Sequence, residues 1–268
     1  MSTKNKHTVK SILKKKQNAQ PISMITAYDY TFASIIDAAG VDIILVGDSV
    51  SNVFSGNETT IPVTVDEMIY HSKAVMKAVK QAMVVVDMPF GSYQISTENA
   101  LENAIRIFKT TNVQALKLEG GKEIAPTIFK IISAGIPVMG HLGLTPQSIH
   151  QLGSYEVQAN SLESQELLID NAKALEEAGC FCIVLEKVPA TVAKKIAGQL
   201  QIPVIGIGAG NGCDGQVLVM HDLLGLNPAF KPKFVRKYAD LFSVVTEAVK
   251  NYIADVSNKE FPNDLESY

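Results

Sequence analysis

The stretch Ala115-Leu116-Lys117-Leu118-Glu119-Gly120-Gly121 decides the fold, because a short apolar run ends there in a carboxylate. Three other runs end in the same way: Ile43-Ile44-Leu45-Val46-Gly47-Asp48, Met83-Val84-Val85-Val86-Asp87 and Phe181-Cys182-Ile183-Val184-Leu185-Glu186. Such runs between helical stretches are typical of parallel strands buried on both faces. Their final acidic residues are expected at the carboxyl edge of the sheet, where barrels carry their chemistry.

Strand and helix patterns alternate along the whole chain. Strands are predicted at residues 22–27, 43–47, 83–86, 113–118, 138–140, 181–185, 202–207 and 217–220. Helices are predicted at residues 29–39, 64–80, 97–111, 122–134, 164–178, 190–200 and 233–256, the second opened by a Thr64–Glu67 capping box. This alternation indicates an α/β fold, a (β/α)8 TIM barrel. A doubly wound sheet is the alternative.

The domain organisation follows from the same pattern. Residues 1–20 are predicted to form a basic helical segment, whose lysines are interpreted as the solvated face of a helix. Residues 21–256 form a single barrel domain, because no stretch rich in Pro, Gly and Ser separates two cores. Residues 257–268 are predicted to be a polar tail.

Composition excludes several classes of protein. Of 268 residues, 47% are hydrophobic and 19% are charged, which is ordinary for a globular enzyme. A net charge of −3 argues against nucleic acid as a partner. No apolar stretch approaches the roughly 18 residues of a membrane span, and no secretory signal is visible. Cys180, Cys182 and Cys213 lack zinc-type spacing, and a cytoplasmic location is expected.

The carboxylates at the strand ends predict a metal site. Two unit charges 4 Å apart repel by roughly 4 kcal/mol at an effective dielectric of 20, so a cation is expected among them. Asp48, Asp87 and Glu119 offer oxygen ligands without a zinc-like His or Cys pattern, which favours Mg²⁺. The alternative for each of them is a cap at a helix or strand end.

Side-chain alternation predicts which residues face the barrel interior. It places Lys117 and Glu119 inside, together with Asp87 and Glu186, and also Val46 with Asp48. Lys117 is interpreted as neutralising an anionic ligand or a developing enolate, and an ion pair with a neighbouring carboxylate is the alternative. Ser49 is predicted to bind a substrate carboxylate or to cap the loop.

Two further residues are candidates for proton chemistry or substrate binding. Glu186 is predicted to be a general base near the metal, and a cap before Pro189 is its alternative. His141 lies between glycines in Gly140-His141-Leu142-Gly143 and is predicted to donate a hydrogen bond to substrate, or else to be structural.

Several motifs occur together in a fixed order. They are Thr26-Ala27-Tyr28-Asp29, Val46-Gly47-Asp48-Ser49, Asp87-Met88-Pro89-Phe90, Lys117-Leu118-Glu119-Gly120-Gly121, Gly140-His141-Leu142-Gly143-Leu144-Thr145-Pro146-Gln147-Ser148, Glu186-Lys187-Val188-Pro189, Ile205-Gly206-Ile207-Gly208-Ala209-Gly210 and Asp214-Gly215-Gln216-Val217-Leu218-Val219-Met220-His221-Asp222. Over residues 22–220 the set closely resembles the ketopantoate hydroxymethyltransferase (3-methyl-2-oxobutanoate hydroxymethyltransferase) family.

The resemblance implies a Mg²⁺-dependent barrel of the phosphoenolpyruvate mutase/isocitrate lyase type. It implies transfer of a hydroxymethyl group from 5,10-methylenetetrahydrofolate to 3-methyl-2-oxobutanoate, giving 2-dehydropantoate (ketopantoate) in pantothenate biosynthesis through Mg-assisted enolate formation. Asp48, Asp87 and Glu119 would hold the metal, directly or through water. Asp48, Ser49, Asp87 and Lys117 would contact the oxo acid, and Glu186 would accept the proton. A homodecamer is also implied.

Two rival functions stay open on the sequence alone. One is a metal-dependent lyase that cleaves a C–C bond of an oxo acid at the same site. The other is a non-catalytic barrel that serves in binding or assembly. The clustered carboxylates and Lys117 argue against the second, because a scaffold has no reason to carry their mutual repulsion.

Overall fold

A computed structural model describes residues 6–268, and its central feature is a closed barrel of eight parallel strands. Each strand pairs with its sequence neighbours, and β1 pairs with β8 to close the barrel. The strands are β1 Ile22–Thr26, β2 Ile43–Val46, β3 Met83–Asp87, β4 Ala115–Glu119, β5 Val138–Gly143, β6 Cys182–Glu186, β7 Val204–Ile207 and β8 Gly215–Leu218. The barrel prediction is therefore confirmed, and a doubly wound sheet is excluded.

Helices follow most of the strands. They are α1 Val9–Gln17, α2 Tyr30–Ala38, α3 Val50–Val53, α4 Val65–Ala78, α5 Thr97–Thr111, α6 Ala125–Ser133, α7 Ile149–Leu152, α8 Leu162–Glu177, α9 Ala190–Gln199, α10 Met220–Leu223 and α11 Leu241–Asn258. Two 3₁₀ turns, Lys122–Ile124 and Pro146–Ser148, precede α6 and α7.

The first residue of several helices is set by a capping side chain. The sequence predicted the start of a helix correctly where that cap was recognised. The Thr64–Glu67 capping box that opens α4 is present as predicted. For α5 the N-cap is Ser96, which accepts the Asn99 N–H, and the helix spans Thr97–Thr111 as predicted. The last helix begins at Leu241 and not at residue 233, because Asp240 supplies its cap by accepting the Ser243 N–H.

The segment after β4 also differs from the prediction. β5 continues to Gly143, so His141 lies within the strand and not at its end. Between the predicted strand at residues 138–140 and the predicted helix at residues 164–178, the structure contains the 3₁₀ turn Pro146–Ser148 and α7. β8 ends at Leu218, and Met220 begins α10.

The barrel interior is a continuous apolar core that reaches up to the carboxyl ends of the strands. Ala115 of β4 lies in this core, so Lys117 and Glu119 share its face as predicted. On β2, Ile43 and Leu45 lie in the same core inside the barrel. The prediction that Val46 faces inward was therefore wrong, and Asp48 lies in the turn beyond the end of β2.

The helix α1 packs at the amino end of the barrel. Ile12 is fully buried in the barrel core. Lys15 Nζ lies 2.5 Å from Asp42 Oδ1, and Lys16 Nζ lies 2.7 Å from Asp214 Oδ2. The basic run therefore includes two ion-paired lysines and is only in part a solvated face. Residues 1–5 of the predicted N-terminal segment lie outside the described residues.

The chain divides into two compact units, one that ends at Val219 and contains the barrel, and a second at Met220–Tyr268. In the second unit, Leu223 and Leu224 accept backbone hydrogen bonds from Tyr238 and Leu241. The helix α11 has no buried residue. Among residues 6–268, no helix is long and apolar enough to cross a membrane.

Candidate active site

The predicted site residues lie around the carboxyl ends of β2 to β6. Asp87, Glu119 and Glu186 are the last residues of β3, β4 and β6, and Asp48 lies just beyond β2. Asp48, Asp87 and Glu119 are buried, whereas the Glu186 side chain keeps 17% of its surface exposed. Lys117 and His141 are buried as well.

Strand register explains why the charged groups meet. Asp87 pairs with Lys117 across β3 and β4, and Lys117 Nζ lies 2.8 Å from Asp87 Oδ1. Glu119 pairs with His141 across β4 and β5, and His141 Nδ1 lies 3.1 Å from Glu119 Oε1. The alternative interpretation of Lys117 as an ion-pair partner thus describes a contact that is present.

Asp48 and Asp87 are joined directly. The backbone N–H of Asp48 donates to Asp87 Oδ2 at 3.0 Å. Burial, followed by the charges of Asp87 and Glu119, raises the pKa of Asp48 well above its ordinary value. Burial also raises the pKa of Asp87, although Lys117 opposes that shift. The protein thus brings acidic groups together without enough positive charge to match them.

Lys117 and His141 supply the positive charge of this cluster. Burial lowers the pKa of Lys117, but Asp87, Glu119 and Asp48 outweigh it and raise that pKa above its ordinary value. Burial and Lys117 lower the pKa of His141, yet Glu119 and the hydrogen bonds to Glu119 and Glu186 bring it to about 9. Both side chains therefore favour their charged forms.

The donor set fits a hard divalent cation. Its ligating atoms are carboxylate oxygens, which hard cations prefer. The negative charge of Asp48 is disfavoured beside Asp87 and Glu119, and a bound cation would relieve the repulsion among these carboxylates. Among residues 6–268, no three His, Cys, Asp or Glu side chains form a preassembled cluster that could hold a metal. The assignment of Asp48, Asp87 and Glu119 as metal ligands therefore stays a prediction.

The capping alternatives for Ser49 and Glu186 find no support. Ser49 is the N-cap residue of α3, yet its side chain makes no capping hydrogen bond and its Oγ lies 2.9 Å from the Tyr28 hydroxyl. Glu186 Oε2 lies 3.4 Å from His141 Nε2. The helix that follows, α9, has Pro189 at its N-cap position and no side-chain cap.

Three buried polar residues of the site were not singled out from the sequence. Tyr28 contacts Ser49, Tyr93 accepts the Glu119 N–H at 3.2 Å, and Gln147 donates to Asp48. Tyr28 and Gln147 stand within the quoted motifs, which was the available signal. Their contacts depend on how the loops fold over the barrel, and no spacing rule gives that.

Comparison with known proteins identifies the family. The ketopantoate hydroxymethyltransferase family profile matches residues 6–264. The chain belongs to the ketopantoate hydroxymethyltransferase family. A 3-methyl-2-oxobutanoate hydroxymethyltransferase from Bacteroides thetaiotaomicron is 58% identical, covering 98% of this chain and 96% of that protein. The Flavobacterium johnsoniae protein of the same name is 57% identical, with 97% and 96% covered.

Solved structures agree with the fold of this family member. Phosphonopyruvate hydrolase, solved with oxalate and Mg²⁺, matches with a TM-score of 0.62 at 12% identity, covering 97% of this chain and 93% of that one. The 2,3-dimethylmalate lyase, a PEP mutase/isocitrate lyase superfamily member, matches with a TM-score of 0.60 at 14% identity, with 97% and 91% covered. The predicted fold type is confirmed.

Proposed function

We propose that the chain transfers a hydroxymethyl group from 5,10-methylenetetrahydrofolate to 3-methyl-2-oxobutanoate, giving 2-dehydropantoate (ketopantoate) for pantothenate biosynthesis. One observation carries the chemical part of the proposal: a carboxylate, Glu186, stands at the strand ends beside a buried cluster of acids and Lys117. Membership of the ketopantoate hydroxymethyltransferase family supports the substrates.

Asp48, Asp87 and Glu119 are the proposed ligands of Mg²⁺. When bound, this ion supplies a Lewis acid that withdraws electron density from a 2-oxo acid and makes its C3 hydrogen more acidic. The oxygen donors and the excess negative charge described above support this choice of ion. Lys117, held 2.8 Å from Asp87, is a further cation at this site.

Glu186 is the proposed general base. It accepts the C3 proton of 3-methyl-2-oxobutanoate, and the ammonium group of Lys117 stabilises the negative charge that develops on the enolate oxygen. Ser49 donates its hydroxyl hydrogen to the substrate carboxylate, with Tyr28 fixing its Oγ at 2.9 Å. His141 is proposed to contact the oxo acid and to hold the Glu186 carboxylate in place.

Water hydrolyses the two C–N bonds of the folate's methylene carbon, which releases tetrahydrofolate and leaves that carbon as formaldehyde. The enolate carbon adds to the formaldehyde carbon to form the new C–C bond, and the former carbonyl oxygen takes up a proton to become the hydroxyl of the product. Asp48 and Asp87 are proposed to orient the oxo acid during both steps. Burial of these side chains supports the proposal, because it keeps bulk water away from the carbanionic carbon.

The proposed setting is the cytoplasm, with small molecules as partners and neither nucleic acid nor membrane. The chain is proposed to act as a homodecamer, as its family resemblance implies. The exposed apolar side chains of α11 support self-association, because large apolar patches on single chains usually mark interfaces.

One assay tests the function. Purified protein with Mg²⁺ and 3-methyl-2-oxobutanoate is incubated with and without 5,10-methylenetetrahydrofolate, and ketopantoate and tetrahydrofolate are measured together. Equal amounts of both products, formed only when folate is present, are expected. Cleavage of an oxo acid without folate would favour the lyase instead.

A further inference from the structure

Gln147 is a buried glutamine that forms hydrogen bonds to two of the proposed metal ligands. It lies in the 3₁₀ turn Pro146–Ser148 that follows β5, with 4% of its surface exposed. Its side-chain Nε2 donates to Asp48 Oδ2 at 2.8 Å, and its backbone N–H donates to Glu119 Oε2 at 3.0 Å. One residue therefore fixes one oxygen of each carboxylate.

The remaining bonds of Gln147 fix the orientation of its amide. Nε2 also donates to the Met88 carbonyl at 2.9 Å, while Oε1 accepts the Tyr93 hydroxyl at 2.7 Å. Since the NH₂ group only donates and the oxygen only accepts, the three side-chain partners Asp48, Met88 and Tyr93 allow one orientation of the amide. A flipped amide would place its oxygen against Asp48 Oδ2 and the Met88 carbonyl, two acceptors.

Tyr93 extends the network back to Glu119. Its hydroxyl accepts the Glu119 backbone N–H at 3.2 Å and donates to Gln147 Oε1. The chain of bonds therefore runs from Glu119 through Tyr93 and Gln147 to Asp48. All four residues are buried. Such a connected buried network restricts the movement of its members.

We propose that Gln147 is a positioning residue of the cation site, which orients Asp48 and Glu119 for a shared divalent ion. Gln147 occupies Oδ2 of Asp48, and within residues 6–268 the other oxygen, Oδ1, accepts no hydrogen bond, which leaves it for the ion. Groups that orient metal ligands in this way typically change metal affinity or activity by roughly 10–100-fold when they are removed. The inference rests on the proposed function, because it assumes that these carboxylates hold a cation.

The test measures the affinity of the protein for Mn²⁺ by electron paramagnetic resonance, with no oxo acid or folate present. In Gln147→Leu both carboxylates remain, but Asp48 Oδ2 loses its donor. We expect Mn²⁺ to bind roughly 10–100-fold more weakly. Ketopantoate formation should recover as Mg²⁺ is raised to saturation, which a merely structural defect would not give.

Gln114→Leu is the matched control. Gln114 directly precedes β4 at the amino end of the barrel, and its Oε1 accepts the Val84 N–H at 2.8 Å. This variant also removes a bonded amide, but from the opposite end of the strand. It should keep the Mn²⁺ affinity of the wild-type protein.

Tyr93→Phe keeps the proposal testable if Gln147→Leu fails to fold. This variant removes only the hydroxyl that orients the Gln147 amide, so it should weaken Mn²⁺ binding in the same direction. If Gln147→Leu folds and binds Mn²⁺ as tightly as the wild-type protein, the positioning role is overturned and the proposed function stands. If Gln147→Leu does not fold, wild-type Mn²⁺ affinity in Tyr93→Phe has the same meaning. Absence of Mn²⁺ binding by the wild-type protein would overturn the cation site itself.

Discussion

His141 Nε2 lies 3.4 Å from Glu186 Oε2, and the strand register explains why. His141 on β5 pairs with Val184 on β6, so Glu186 is the next residue along β6 on the same face. The other ring nitrogen of His141, Nδ1, lies 3.1 Å from Glu119 Oε1. The imidazole thus stands between the proposed base and a proposed metal ligand.

This placement predicts that His141→Asn lowers kcat much more than it raises KM for the oxo acid. The shorter side chain cannot reach both carboxylates, so Glu186 loses its partner, and a fall of roughly 10–100-fold is expected. Steady-state kinetics at saturating Mg²⁺ give both constants. His150→Asn, at an exposed residue of α7, is the control. A rise in KM with unchanged kcat would mean that His141 acts by binding substrate.

Asp87→Asn should abolish most Mg²⁺-dependent turnover while keeping the circular dichroism spectrum. The change removes a proposed ligand and also the charge 2.8 Å from Lys117. Lys117 then loses its nearer partner and keeps Glu119, whose Oε1 lies 3.8 Å from Lys117 Nζ, so the melting temperature should fall as well. Activity near that of the wild-type protein at limiting Mg²⁺ would refute the metal assignment.

Acid should weaken the barrel through Asp42. Burial raises the pKa of Asp42, but hydrogen bonds from Lys15 and Ser23 outweigh it and hold the pKa below its ordinary value of 3.8. The contribution of this carboxylate is therefore complete above pH 3.8 and is lost as the pH falls through the lower folded value.

Urea unfolding of wild type and Asp42→Asn checks this prediction. The difference in unfolding free energy should be about 1.5–3 kcal/mol at pH 7, the range for hydrogen bonds to a charged group, and should shrink in strong acid. A difference that stays constant with pH would show that the charge of Asp42 does not stabilise the fold.

The proposed homodecamer predicts a particle far larger than the 28.9 kDa chain. On α11, Val245, Val249, Tyr252 and Val256 recur at helical spacing and are exposed in the single chain. Val249→Glu should yield smaller species in sedimentation velocity, and Lys250→Glu, at a charged position of the same helix, should not. If the wild-type protein sediments only as a monomer, the proposed homodecamer is wrong.

Much of the fold could be predicted from the sequence because buried parallel strands have a plain signature. The run from Met83 to Asp87 is apolar up to its last residue, and strand alternation was enough to place Asp87, Lys117 and Glu119 on one face. The start of α11 was misplaced by eight residues, from residue 233 to Leu241, because the Asp240 cap was overlooked.

The contacts of the candidate site were less accessible to sequence reasoning. Asp48 lies beyond β2, so its position follows from a turn and not from strand alternation, which is why Val46 was placed on the wrong face. The link from Asp48 to Gln147 joins the loops after β2 and β5, which meet only when the barrel closes. No local pattern in either loop predicts that contact.

The central claim is that Glu186 removes the C3 proton, and hydrogen exchange measures that step alone. Wild-type protein with Mg²⁺ should exchange the C3 hydrogen of 3-methyl-2-oxobutanoate into deuterated water, followed by NMR, with or without tetrahydrofolate. Glu186→Gln keeps the shape of the side chain and should still bind Mg²⁺ and oxo acid. Its exchange should slow by about 10²–10⁴-fold, the contribution of a positioned base. Equal exchange rates in the two proteins would contradict the account and assign proton removal to another group.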